Sequence, residues 1–237
     1  MNEIDRLKEI INNSSNIVFF TGAGVSTESN IPDFRSATGL STKTTKYPLE
    51  VMLSHTFFMK ETAAFYEFYK NNMLYIDAQP NIAHLKMAEL EKAGKVKAIV
   101  TQNIDNLHYL AGSKNVYELH GNVNRNYCMK CHKSYDVNYI IKANGIPHCS
   151  CGGIIKPDVV LYEEALDDAV IDSALNAIMQ ADCLIVAGTS LSVYPASGLI
   201  NYFRGNHLVL INKSKTLYDE RADLVINALV GETLKAV

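Results

Sequence analysis

The chain is short of what membrane and nucleic-acid proteins rely on. No apolar run approaches the roughly 20 residues of a membrane-spanning helix. The 22 Lys and Arg against 25 Asp and Glu leave a formal net charge of −3, so no basic excess draws the chain onto phosphate backbones or anionic lipid. The start, Met1-Asn2-Glu3-Ile4-Asp5-Arg6, lacks the basic opening and apolar middle of a signal peptide. There is no low-complexity tract and no internal repeat. These absences predict a soluble cytoplasmic protein with neither nucleic acid nor membrane as its partner. A full G-x-G-x-x-G dinucleotide fingerprint is also missing, because Thr27 stands where its third glycine would be.

What is present is a series of apolar runs that each end in small or polar residues. Residues 17–20 run into Thr21-Gly22-Ala23-Gly24-Val25-Ser26, and 96–100 into Thr101-Gln102-Asn103-Ile104-Asp105-Asn106. Residues 116–119 end in His120-Gly121, 183–187 in Gly188-Thr189-Ser190, and 208–211 in Asn212. Glycines after a strand let the backbone approach a phosphate, and open parallel sheets bind ligands at the carboxyl ends of their strands. The plain alternative for residues 101–106 is an Asn/Asp turn.

Between these runs the apolar spacing turns helical. Ile4, Leu7, Ile10 and Ile11 predict an amphipathic opening helix, Pro80-Asn81 opens another that ends near Gly94, and Leu166, Val170, Ala174 and Ile178 mark a third. Glu163-Glu164 and Asp167-Asp168 are read as dipole-complementing charges at the start of that third helix. Residues 36–48 read as a polar, mobile loop, and residues 49–75 as a helical cluster whose aromatics form a core. Helices alternating with strands predict an α/β fold with a parallel sheet covered on both faces. The 237 residues suit one large domain, or a domain plus an insertion.

Of the 5 cysteines, Cys128-x-x-Cys131 and Cys149-x-Cys151 make two close pairs. Two such knuckles match a tetrahedral Zn²⁺ site of four thiolates, which has no open position and is therefore structural. His132 and His148, beside the pairs, are alternative ligands, and disulfides the poorer reading for a cytoplasmic protein. Cys183, in an apolar run, reads as a small core residue.

Taken in order, Gly22-Ala23-Gly24-Val25-Ser26, Ile31-Pro32-Asp33-Phe34-Arg35-Ser36, residues 101–108, His120-Gly121, the four cysteines, residues 188–195 and Val209-Leu210-Ile211-Asn212 resemble the sirtuins, the NAD-dependent protein deacylases, over nearly the whole chain. The resemblance implies a Rossmann-like NAD-binding domain from residues 1–35, 79–123 and 156–237. It also implies a small lobe made of a cofactor loop and helical module (36–78) and a zinc-binding module (124–155). It further implies an NAD-dependent deacetylase that releases nicotinamide, O-acetyl-ADP-ribose and deacetylated lysine, with acylated lysine peptides as partners and a monomeric state.

By the same resemblance, His120 is the general base, a role suited to an imidazole near neutral pH. Gln102 and Asn103 bind the nicotinamide ribose and an ordered water. Asp105, with the Ile104 backbone, holds the nicotinamide carboxamide. Gly22, Ala23, Gly24 and Ser26 approach the pyrophosphate; Asp33, Phe34 and Arg35 line the cofactor loop, with Arg35 near the phosphates; Gly188, Thr189, Ser190 and Asn212 bind the adenosine half. Val160, Tyr162 and Val193 line the acyl-lysine tunnel, residues 159–164 pairing with the peptide as an added strand. Members preferring acidic acyl groups carry Tyr-x-x-Arg in the cofactor loop; here Glu50 follows Tyr47, so neutral acyl groups are expected. Three residues depart from the family's usual pattern: Asn30 and Glu163 stand in place of glycine, and Ser41 in place of an aromatic. The alternative activities are an NAD glycohydrolase or mono-ADP-ribosyltransferase; a noncatalytic module binding nucleic acid is disfavoured by the lack of a basic stripe.

Overall fold

A computed structural model describes residues 2–34, 36, 39–42 and 46–237. In chain order its strands are β1 (Ile17–Thr21), β2 (Val96–Thr101), β3 (Val116–Glu118), β4 (Gly121–Cys128), β5 (Ser134–Tyr135), β6 (Ile155–Val159), β7 (Cys183–Ala187), β8 (His207–Ile211) and β9 (Leu224–Ile226). The helices are α1 (Glu3–Asn13), α2 (Leu49–Met52), α3 (His55–Lys60), α4 (Thr62–Asn72), α5 (Ile82–Lys92), α6 (Leu107–Leu110), α7 (Val137–Lys142), α8 (Asp168–Gln180) and α9 (Val230–Lys235).

The large sheet has the order β3-β2-β1-β7-β8-β9 with every pairing parallel. The chain builds outward from β1 on one side, then returns to β7 and builds outward on the other. The connections therefore diverge at β1 and β7, and a crevice opens at their carboxyl ends. Both faces of the sheet are covered, which is why its central strands are apolar without alternation. Phe19, Ile99, Ile185 and Val209 pack with Leu7 and Ile10 of α1, Met87 of α5 and Leu234 of α9. Phe20, Val100, Val186 and Leu210 pack on the opposite face with Ala174 and Ile178 of α8. Each such Val, Leu, Ile, Phe or Met side chain contributes about 1.5–3 kcal/mol on burial.

Helix starts follow capping chemistry. Asn2 accepts from the Asp5 N–H at 2.8 Å, and Asn81 with His84 forms a capping box for α5. Asp167 caps α8, accepting from the Val170 N–H at 3.0 Å. Glu163 and Glu164 correct the reading that placed them on α8. Glu163 accepts from the Thr56 N–H at 2.9 Å in the first turn of α3, and Glu164 meets His55 at 2.8 Å. The dipole reasoning holds for Glu163, on a helix more than a hundred residues earlier in the chain. Asn30, in place of glycine, sits at φ 62, a left-handed conformation that asparagine tolerates.

The small lobe joins two segments that look separate in sequence. Phe58, Phe65, Tyr66 and Tyr69 from α3 and α4 share one core with Cys128, Ile140, Cys149 and Ile155. Phe58 meets Phe65 edge-on at 5.0 Å, Phe65 stacks on Tyr69 at 5.6 Å, and the Tyr66 hydroxyl donates to the Ile155 carbonyl. The antiparallel sheet β5-β4-β6 and α7 complete this lobe. Of the predicted 36–48 loop, residues 37, 38 and 43–45 lie outside the described residues. Leu40–Thr42 form a 3-10 turn in which Leu40 is buried.

Candidate functional site

A cleft of about 1140 Å³ opens above the carboxyl ends of β1, β2 and β7 and reaches the small lobe. On the β1 side it is lined by Ala23, Gly24 and Ser26. Gly22 lies beneath this wall. A Cβ on Gly22 would stand 2.7 Å from the Thr189 Cβ, and one on Gly24 2.8 Å from the Gly188 Cα. Gly188 itself has φ +62, and its carbonyl accepts the Gly24 N–H at 2.8 Å. The glycines after β1 thus let two strand-end loops touch backbone to backbone, which a side chain on either would prevent.

The loop after β2 is held by side chains. The Asn103 amide nitrogen donates to the Gly22 carbonyl and to Ser26 Oγ, each at 3.1 Å. Ser26 Oγ donates to Asp105 Oδ2 at 2.6 Å, and Asp105 Oδ1 accepts from the Leu107 N–H at 2.9 Å. Burial pushes the Asp105 carboxyl above its ordinary pKa, with these hydrogen bonds opposing the shift. Gln102 and Ile104 also line the cleft. The buried Gln102 Nε2 has no hydrogen-bond partner among the described residues.

His120 stands in the turn between β3 and β4. Its Nδ1 is 2.9 Å from the Gln102 carbonyl oxygen, an acceptor only, so Nδ1 carries the proton and Nε2 is the free base. Burial lowers the His120 pKa, and the bond to Gln102 raises it less, so the ring is neutral near neutral pH. Gly121 follows at φ +75, and a Cβ there would lie 2.0 Å from the Asp158 carbonyl oxygen. Only glycine lets the chain turn there directly after the histidine.

Val160, Tyr162 and Val193 line the other wall, and Asp33, Phe34, Gly188, Thr189, Ser190 and Asn212 also border the cleft. Ser190 and Ser192 hydroxyls lie 2.7 Å apart, and the Asn212 side chain donates to the Ser214 carbonyl at 2.7 Å. Arg35 lies outside the described residues. Sequence reading missed Lys213, Leu229 and Val230, which also line the cleft. Lys213 follows Asn212 and was legible as its neighbour. Leu229 and Val230 reach the cleft through β9 and α9, too short to leave a periodic signal.

The cysteines sit outside this cleft. The Sγ atoms of Cys128, Cys131, Cys149 and Cys151 lie within 4.8 Å of one another, and none of these thiols is in a disulfide. Cys128–Cys151, Cys131–Cys149 and Cys151–Cys131 separations are 3.5, 3.6 and 3.4 Å. A Zn–S bond of about 2.3 Å in a tetrahedron needs sulfurs roughly 3.8 Å apart, so the four fit one Zn²⁺. Lys130 and Cys131 N–H groups donate to Cys128 Sγ at 3.3 and 3.5 Å, supporting a thiolate. His148 Nδ1 is instead engaged by the Ile146 carbonyl at 2.8 Å, and neither it nor His132 joins the cluster.

Residues 22–195 match the Sir2 family. The chain is 62% identical to an NAD-dependent protein deacetylase of Clostridium acetobutylicum, over 100% of this chain and 98% of that protein. Among solved structures, a Sir2 with a p53 peptide and NAD+ is similar at TM-score 0.89 and 37% identity, covering 99% of this chain and 96% of that one. A Sir2 variant with a deacetylated p53 peptide and 3'-O-acetyl ADP-ribose is similar at TM-score 0.92 and 37% identity, covering 100% and 97%.

Proposed function

The chain belongs to the Sir2 family, and from that premise we propose how its own residues carry the family's reaction. It is an NAD-dependent protein deacetylase, with NAD as co-substrate and a zinc-binding cluster of four cysteines. NAD supplies the ribose carbon that receives the acyl oxygen, and the nicotinamide leaving group. His120 Nε2 accepts a proton from a ribose hydroxyl, and the Gln102 carbonyl holds the ring in the tautomer that leaves Nε2 free. Gln102 and Asn103 bind the nicotinamide ribose and a water. Gln102 does so through the Nε2 donor that has no partner among the described residues, and Asn103 from a position fixed by Gly22 and Ser26. Asp105, whose oxygens keep lone pairs beyond those used by Ser26 and Leu107, receives the nicotinamide amide together with the Ile104 backbone. Ala23, Gly24 and Ser26 face the pyrophosphate, with Gly22 beneath them shaping the loop. Phe34 caps the ribose beside Asp33, and Gly188, Thr189, Ser190 and Asn212 hold the adenosine half; Arg35, outside the described residues, is assigned to the phosphates by the family resemblance alone. Val160, Tyr162 and Val193 guide the acyl-lysine. Cys128, Cys131, Cys149 and Cys151 hold the zinc for structure only.

The observation that carries this reading is that His120, with Nδ1 held by the Gln102 carbonyl, and a Gln102 donor without a partner among the described residues belong to one cleft. His120→Ala is expected to cut peptide deacetylation by about 10² to 10⁴-fold while NAD binding, followed by calorimetry, persists. Retained turnover would remove His120 from the role. Because its pKa is lowered, the acid limb of the rate profile should fall below the usual histidine value of about 6.5; a limb above it would contradict the free-base assignment. Glu50 near Tyr47 favours acetyl over succinyl groups, and faster succinyl-lysine turnover would overturn that preference. Release of nicotinamide without acyl-peptide would point to a glycohydrolase instead. The division into a large domain of 1–35, 79–123 and 156–237 with modules at 36–78 and 124–155, the monomeric state, the cytoplasmic location and the lack of a nucleic-acid partner belong to this same reading. The division and the monomeric state rest on the family resemblance, and the lack of a nucleic-acid partner on the small net charge; among the described residues no helix is long and apolar enough to cross a membrane.

A further inference from the structure

Lys156 on β6 is buried, its side chain only 7% exposed. A buried ammonium is costly unless each donor is met. Here three donors find three acceptors: Glu164 Oε2 and the Val159 carbonyl at 3.0 Å each, and the Pro157 carbonyl at 3.3 Å. Glu164 Oε2 also accepts from the Leu161 N–H at 2.9 Å, and the Glu164 N–H returns to the Leu161 carbonyl at 3.0 Å. Residues 161–164 are thereby closed into a turn around one carboxylate. The turn holds Glu163 at φ 74, which a residue with a Cβ rarely adopts unless its surroundings impose it.

That turn shapes one wall of the cleft. The Val160 N–H donates to the carbonyl of His120 at 3.0 Å. Tyr162 is bound on both sides to the helical module, its N–H to the Leu53 carbonyl at 3.0 Å and its carbonyl to the His55 N–H at 2.9 Å. Residues 160–162 are therefore strung between the His120 turn and α3, and the Lys156–Glu164 pair sets their path. Glu164 borders the cleft, but Lys156 does not.

We propose that Lys156 is a positioning residue for the acyl-peptide: through Glu164 it fixes the path of the strap at 160–164, and the main-chain groups of that strap not taken up by His120, Leu53, His55 and Glu164 pair with the peptide backbone. This rests on the deacetylase reading. A main-chain edge serves a substrate with residues on both sides of the lysine and does little for a capped single acetyl-lysine, and that difference separates positioning from general stability.

The test compares NAD-dependent turnover of an acetylated peptide and of capped Nε-acetyl-lysine by wild type, Lys156→Met and Lys156→Arg. Lys156→Met is expected to raise the peptide KM about tenfold, with kcat, the NAD KM and turnover of the capped residue moving less than about twofold. Lys156→Arg, which keeps the charge and several donors, should restore the peptide KM. Equal losses on both substrates, or an unmoved peptide KM, would overturn the proposal. Should Lys156→Met fail to fold, Lys156→Gln, which keeps a donor for Glu164 but removes the charge, must show the same selective rise; an unmoved peptide KM there also overturns it. A wild type that turns over neither substrate would defeat the deacetylase reading itself, whereas an active wild type with an unaffected variant defeats this proposal alone.

Discussion

The two lobes are held together by different physics. The large lobe is a sheet with apolar side chains packed on both faces, closed by α1, α5, α8 and α9. The small lobe has a single core of aromatics and two buried cysteines, with the other two cysteines exposed. It depends on four sulfurs converging from two knuckles, which repel one another as thiolates unless a cation lies between them. His120 stands on the passage from β3 in one lobe to β4 in the other, so the proposed chemistry draws on both.

Zinc removal should break the comparison most sharply. Structural zinc contributes about 10–16 kcal/mol in isolated metal-binding modules. Chelation, or Cys149→Ser, is expected to abolish peptide deacetylation while the large lobe keeps its protected amides in hydrogen exchange. Uniform loss of protection would show that the lobes fold as one unit.

Phenylalanine truncation is next in size. Phe19→Ala in the large lobe and Phe58→Ala in the small one each remove a fully buried ring, and each should cost about 3–5 kcal/mol in denaturant unfolding. The first should lower global stability with KM unchanged, and the second should also raise the peptide KM. Identical profiles would erase the distinction between the lobes.

Acid should weaken the large lobe through a buried pair that catalysis does not use. His84 and His108 lie 4.9 Å apart, and His108 Nε2 is 3.1 Å from Thr21 Oγ1. Burial lowers the His84 pKa to about 4 and puts His108 well below its ordinary value. The folded pKa is below the unfolded one, so the unfolded chain binds more protons, and stability present above about pH 6.5 is lost as pH falls towards 4. For His84 alone the loss is about 3 kcal/mol. Urea unfolding at pH 7.5 and 4.5 measures it, and His84→Gln should flatten the dependence. The smallest effect is expected at Asn30→Gly, within about 1 kcal/mol, because asparagine already tolerates the left-handed turn; a larger change in thermal unfolding would mean that the Asn30 side chain has a role of its own.

Much of this was legible beforehand. The central strands announce themselves because burial on both faces demands unbroken apolar runs, and α1, α5 and α8 because their spacing and caps are local. The cysteine pairs were legible because thiolate spacing within a knuckle is a short-range property. β9 and α9 were not, since three and six residues leave no period to read. The contacts of Glu163 with α3 and of Glu164 with His55 were misassigned because the nearest helix in sequence was not the nearest in space.

The sequence alone therefore determined the elements and the chemistry of the candidate groups, since helix period, strand burial and metal-ligand spacing are set by neighbours along the chain. Only the tertiary structure decided that Gly22 lies under the cleft rather than on its wall, that the helical and cysteine segments share one core, and that Lys156 meets Glu164 beside His55. Those contacts join residues far apart in the chain, and side-chain packing in three dimensions, which no local pattern encodes, selects among the partners each could have had.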